Sequence, residues 1–149
     1  AEVDREFAVA AAETNLMGMR TGQLVEKNAE SKEVKDYALT MSDYYDKATT
    51  DLSALAQRRN ISLPTALGTA NQQEYSTLAG LTGARFDSAY IDWAVRSNQR
   101  ALETLREYRN ETTDSEFQNW VDSRLTTLES NLETATSIQE KMNDAMNDQ

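Results

Sequence analysis

The sequence predicts an all-α protein: an antiparallel four-helix bundle with a longer connector and a short helix between its second and third long helices. One observation is where the helix breakers lie. Pro64, Gly68, Gly80 and Gly83 fall within twenty positions of one another, Gly18 and Gly22 lie near the start, and residues 23–63 and 84–149 contain neither glycine nor proline. Stretches without breakers favour long helices. The other observation is apolar spacing in steps of three and four, as on one face of a helix.

The first long helix is expected from about Asp4 to Lys27, with "NAES" as the turn. Its stripe of Phe7, Ala11, Gly18, Gly22 and Val25 is a seam of small residues that lets a neighbour approach closely, although a glycine inside a helix costs up to ~1 kcal/mol against alanine. The second runs from about Lys32 to Arg59, with Ser31 as N-cap and Asn60 as C-terminal stop. Its stripe is Val34, Ala38, Met41, Tyr45, Ala48, Leu52 and Leu55. "ISLPTALG" is an extended connector held by Pro64, and a short helix covers "NQQEYSTLA". The third long helix runs from after Thr82 to about Asn110, with Phe86, Tyr90, Trp93, Ala94, Ala101, Leu105 and Tyr108 inward. The fourth opens at Thr113, which has capping-box spacing to Glu116, continues to about Met142 and then frays, because the acids in "NDAMNDQ" oppose the macrodipole. The whole of 1–149 reads as one domain, long enough to bury a core.

Composition narrows the chemistry. The formal net charge is −10. An acidic surface repels phosphate, so neither nucleic acid nor an anionic lipid surface is an expected partner. There is no cysteine and no histidine, which removes disulfides, thiolate metal sites, the commonest general base and the commonest transition-metal ligand. No apolar run reaches the 18 residues of a membrane span. A serine triad would lack its base, and "GTANQQEYSTLAGLTG" lacks the lysine and spacing of a phosphate loop. The carboxylate pairs Asp43/Asp46 and Asp114/Glu116 lack the spacing of a calcium loop and read as solvated acids.

Three polar side chains interrupt the apolar stripes near mid-helix: Tyr45, Asn98 and Asn131. In an antiparallel bundle such positions meet at similar depth. A buried amide or phenol without a partner costs about 1–3 kcal/mol, and mutual hydrogen bonds would remove that cost. These three are the candidate ligand-binding layer; the alternative is a structural polar layer that fixes register or holds water.

"VKDYALTMSDYYDKATTDLSALAQRRNISLP" and "FDSAYIDWAVRSNQRAL" resemble the bacterial family called domain of unknown function 4142, over about Phe7 to Ile138. The resemblance rests on the "VK" and "M" spacing, the "LP" after the second helix, and "FDSAY" opening the third. It implies a ferritin-like bundle and an exported, extracytoplasmic protein. It also implies a site that this chain has altered. The family's Asp-His on the second helix reads Tyr44 and Tyr45, its Asp-His on the third reads Ser97 and Asn98, its fourth-helix histidine aligns with Asn131, and its first-helix glutamate with Gly18. Tyr45 thus stands where the family carries a histidine.

The function expected is non-enzymatic: a structural, stress-related or interaction protein with a degenerate metal site and no cofactor. The alternatives are a bundle that binds or senses a small polar ligand between helices, and carboxylate-based metal binding. The partner is a protein or small molecule of unknown identity, and the chain a monomer or homodimer.

Overall fold

The structure, a computed structural model, describes residues 2–147. Among these the fold is all-α, with five helices: α1 (Glu2–Asn28), α2 (Lys32–Arg58), α3 (Thr69–Ala79), α4 (Gly83–Glu111) and α5 (Ser115–Asn147). At 1.5 Å per residue the long helices span roughly 40–50 Å.

The ends show how the sequence sets each boundary. Ser31 Oγ accepts from the Val34 amide at 3.3 Å, the N-cap bond expected of serine. α2 closes in a Schellman arrangement: the Ile61 amide donates to Ala56 O at 2.9 Å and the Asn60 amide to Gln57 O at 3.2 Å. That closure needs a left-handed residue, and Asn60 supplies it at φ 56°. The start of α5 differs from the capping box expected at Thr113. Asp114 is the cap, its Oδ1 accepting from the amides of Glu116 (3.0 Å) and Phe117 (3.3 Å). A carboxylate at this place also meets the positive end of the helix. The far end differs too: α5 stays helical through Asn147, and residues 143–147 are exposed. Met, Ala and Asn offer no breaker there, and an exposed turn loses little from unfavourable acids. Residues 1, 148 and 149 of the expected domain lie outside the described residues.

Side-chain bonds fix the helix directions. Gly18 lies against Tyr45 and Gly22 against Ser42, so α1 and α2 run antiparallel. Arg109–Asp122 (2.9 Å), Arg106–Glu129 (2.8 Å) and Gln139–Asp92 (2.9 Å) do the same for α4 and α5. α2 and α5 are tied by Arg59–Asp114 (2.7 Å) at one end and Lys141–Glu33 (3.4 Å) at the other. α1 and α4 meet where Asp4 accepts from Tyr108 and where Asp87 caps the α1–α2 turn. Each long helix therefore runs opposite to both neighbours, in the cyclic order α1, α2, α5, α4. α2 ends at one end of the molecule and α4 begins at the other, so residues 59–82 must travel its length. α3 sits within that crossover. Glu13 of α1 accepts from the Gly68 amide (2.8 Å) and from Asn71, and Arg96 of α4 pairs with Glu74 (3.0 Å), which holds α3 over the α1/α4 seam.

The core divides into two clusters. One, near the α1–α2 turn, contains Met17, Val25, Tyr37, Phe86, Tyr90 and Trp93. The other contains Phe7, Leu52, Tyr108, Phe117, Trp120 and Val121. Tyr44 and Leu132 pack against both. The Phe7 and Tyr108 rings stack at 3.8 Å.

Candidate functional site

The middle of the molecule is built from phenols and amides. Tyr45 is buried, and its ring lies flat on the backbone of α1: a Cβ placed on Gly18 would fall 2.2 Å from two of its ring carbons. The absence of a side chain at position 18 is what admits the ring. Asn98 is buried on α4 and its Nδ2 donates to Tyr37 Oη at 2.9 Å. The Tyr37 ring meets Tyr90 edge-on at 6.2 Å, and Tyr44 meets Tyr45 at 5.3 Å.

Burial keeps these phenols protonated. It pushes Tyr37 up to about 12, against the lowering effect of its bond from Asn98. It pushes Tyr44 up to about 12 as well, against the nearby Arg124 charge. Tyr45 and Tyr90 are raised further, first by burial and then by the neighbouring tyrosines. In the unfolded chain a tyrosine titrates near 10. A raised folded value means that the neutral form stabilises the fold below about pH 10, and that this contribution disappears as pH rises through about 12. The unfolding free energy is expected to fall over this window, by on the order of 2 kcal/mol for each of Tyr37 and Tyr44, and the urea midpoint with it. Absorbance at 295 nm and urea midpoints measured together would test this; Tyr37→Phe should flatten the slope.

Next to this layer is a cavity of about 220 Å³ between α1 and α4, beside α3. Tyr45 and Asn98 both line it, as do Asn15, Ser97, Trp93 and Trp120. It opens to solvent past the exposed residues Arg96, Arg100 and Thr104. Asn131 does not line it. Asn131 is buried on α5, and its Nδ2 has no partner among the described residues. The mutual hydrogen bonding expected of Tyr45, Asn98 and Asn131 is therefore replaced by a pairing of Asn98 with Tyr37. An amide bonds to the polar atom its depth and rotation bring within reach, and the stripe alone does not specify that atom.

Two polar residues of this site escaped the sequence reading. Tyr37 lies three after Val34 and four before Met41. Asn15 lies four after Ala11 and three before Gly18. Both keep the helical spacing of their stripes, and that spacing was the available signal. Asn15 is 5% exposed, and its Nδ2 has no hydrogen-bond partner among the described residues.

Gly18, Tyr45, Asn98 and Asn131 offer no carboxylate, imidazole or thiolate. The Tyr45 ring occupies the space beside Gly18. Among the described residues no group of three or more acidic, histidine or cysteine side chains could hold a metal ion. The donor set does not fit a resident metal, nor does it assemble the carboxylate site weighed from the sequence.

In sequence, the family described as Domain of unknown function (DUF4142) matches residues 1–138. The chain belongs to the DUF4142 family. No curated protein matches it. Solved structures similar to this DUF4142 chain include a DUF305 fragment from Deinococcus radiodurans, with TM-score 0.83 at 10% identity over 95% of this chain and 97% of that one. A DUF305 protein from Streptomyces coelicolor gives TM-score 0.81 at 11% identity, over 95% of this chain and 92% of that one. At such identities the likeness shows a shared helical fold and nothing about activity. No helix among the described residues of the DUF4142 chain is long and apolar enough to cross a membrane.

Proposed function

We propose that this DUF4142 protein is a non-enzymatic, extracytoplasmic scaffold on a ferritin-like antiparallel four-helix bundle, with a neutral polar layer where a metal site would stand. The bundle reading is supported by the antiparallel order of the four long helices and by the single crossover that spans the molecule between α2 and α4. Extracytoplasmic placement is supported by the family resemblance and by the Streptomyces coelicolor neighbour, which is named as a candidate secreted protein; cell fractionation of the native protein tests it. The observation that carries the reading is the Tyr45 ring seated on Gly18. A phenol kept neutral by burial is a poor metal ligand, and with no histidine or cysteine in the chain there is no ready general base. Incubation with iron, copper or manganese, followed by washing and elemental analysis, is expected to leave less than stoichiometric metal. A retained equivalent would overturn the proposal.

A second reading, a bundle that binds a small polar ligand between helices, is favoured by one specific observation. Asn15, one of the residues lining the 220 Å³ cavity, carries a buried amide nitrogen with no hydrogen-bond partner among the described residues. A buried donor without an acceptor costs about 1–3 kcal/mol unless something fills the site.

A further inference from the structure

We infer that the α1/α4 cavity binds a small monocyclic aromatic carboxylate, an inference that rests on the ligand-binding reading. Size sets the first limit. An apolar cavity of about 150 Å³ accommodates benzene, and the 220 Å³ here leaves room for a ring with a short substituent. The wall sets the second. Trp93, Trp120 and Phe7 present ring surface, which suits a flat apolar body. Polarity sets the third. Asn15, in the lining, holds a buried and unused donor, Nδ2, which an acceptor carried by the occupant would satisfy.

The mouth supplies the charge. Arg96 is occupied by Glu74 at 3.0 Å, but Arg100 pairs with no carboxylate among the described residues. An unspent guanidinium at the rim of a cavity, in a chain of net charge −10, is a selective place for a carboxylate. Asn98 is a neutral amide and burial holds the Tyr45 phenol neutral, so neither repels an anion. The acid nearest the mouth, Glu74, is neutralised by Arg96. Glu13, on the same face of α1, accepts from Asn71 and the Gly68 amide.

Both tryptophans of the chain line the cavity, so intrinsic fluorescence reads its occupancy directly. Titration with phenylacetate and benzoate, alongside the neutral phenylacetamide and benzamide, tests the proposal. A saturable change with the carboxylates is expected, at least tenfold tighter than with the amides. Asn15→Leu, which removes the donor at similar size, should abolish binding. Arg100→Gln, an exposed change that leaves the core intact, should weaken the carboxylates about tenfold and leave the amides unchanged. Amides binding as tightly as carboxylates, with Arg100→Gln indifferent, would overturn the carboxylate assignment while leaving a ligand cavity in place. No response to any probe would mean a merely hydrated cavity and would overturn both. Binding unaffected by both variants would place the ligand elsewhere and likewise overturn the inference.

Discussion

Replacing Asp87 with alanine is expected to cost about 3 kcal/mol of stability, read as a shift in the urea midpoint at unchanged slope. Asp87 is 4% exposed, and its two carboxylate oxygens accept from the amides of Glu30 (3.1 Å) and Ser31 (2.9 Å). Those amides belong to the three-residue turn between α1 and α2, where an α2 N-terminal amide has no intrahelical partner. Alanine leaves two donors without an acceptor, and each costs about 1–3 kcal/mol when water cannot reach it. The same carboxylate fastens α4 to the hairpin of α1 and α2, so its loss loosens a tertiary joint as well as a turn. Asp87→Asn keeps one acceptor oxygen and should lose roughly half as much. Hydrogen exchange gives a local check: the Glu30 and Ser31 amides should exchange faster in Asp87→Ala even where global stability is matched. A loss below about 1 kcal/mol would mean that water replaces the carboxylate.

Gly18→Ala should destabilise by about 2–3 kcal/mol, although glycine to alanine inside a helix ordinarily stabilises by up to ~1 kcal/mol. The added Cβ would sit 2.2 Å from Tyr45 Cε2 and Cζ and 2.6 Å from Cδ2, closer than any real contact. Tyr45 belongs with Met17 and Trp93 to the larger core cluster and meets Tyr44 at 5.3 Å, so the ring can retreat from α1 only by giving up those contacts and entering the cavity it lines. Gly22 provides the internal control. A Cβ there meets only Ser42 Oγ at 3.3 Å, so Gly22→Ala should be close to neutral. The decisive measurement is a double-mutant cycle. In a Tyr45→Leu background, Gly18→Ala should regain its ordinary helical benefit, giving a coupling energy of about 3 kcal/mol. Additive effects would show that the ring does not depend on the bare backbone.

Much of this was legible in the residues. Ser31 and Asn60 mark their helix ends because a serine hydroxyl and a left-handed asparagine each satisfy backbone groups that the helix leaves open. Thr113 misled because the neighbouring Asp114 also fits the cap, and a carboxylate there accepts from two amides. Thr112 is committed elsewhere, its hydroxyl donating to Asp4 at 2.6 Å. Asn15 and Tyr37 lay on their stripes unremarked, since a polar residue in register looks the same whether it faces a cavity, a partner or water.

The sequence by itself determined the helical class, the long segments and most of their ends, the inward faces, the DUF4142 relationship, and the lack of histidine and cysteine. These follow from local chemistry: breakers, caps and a period of 3.6 residues act within a few positions of themselves. Only the tertiary structure decided that Tyr45 rests on Gly18, that Asn98 bonds to Tyr37 and not to Asn131, and that Asn15 opens onto a cavity with Arg100 at its mouth. Such pairings depend on the rotation and depth at which one helix meets another. A turn of a few tens of degrees, invisible in the periodicity of either strand of sequence, changes which atoms touch.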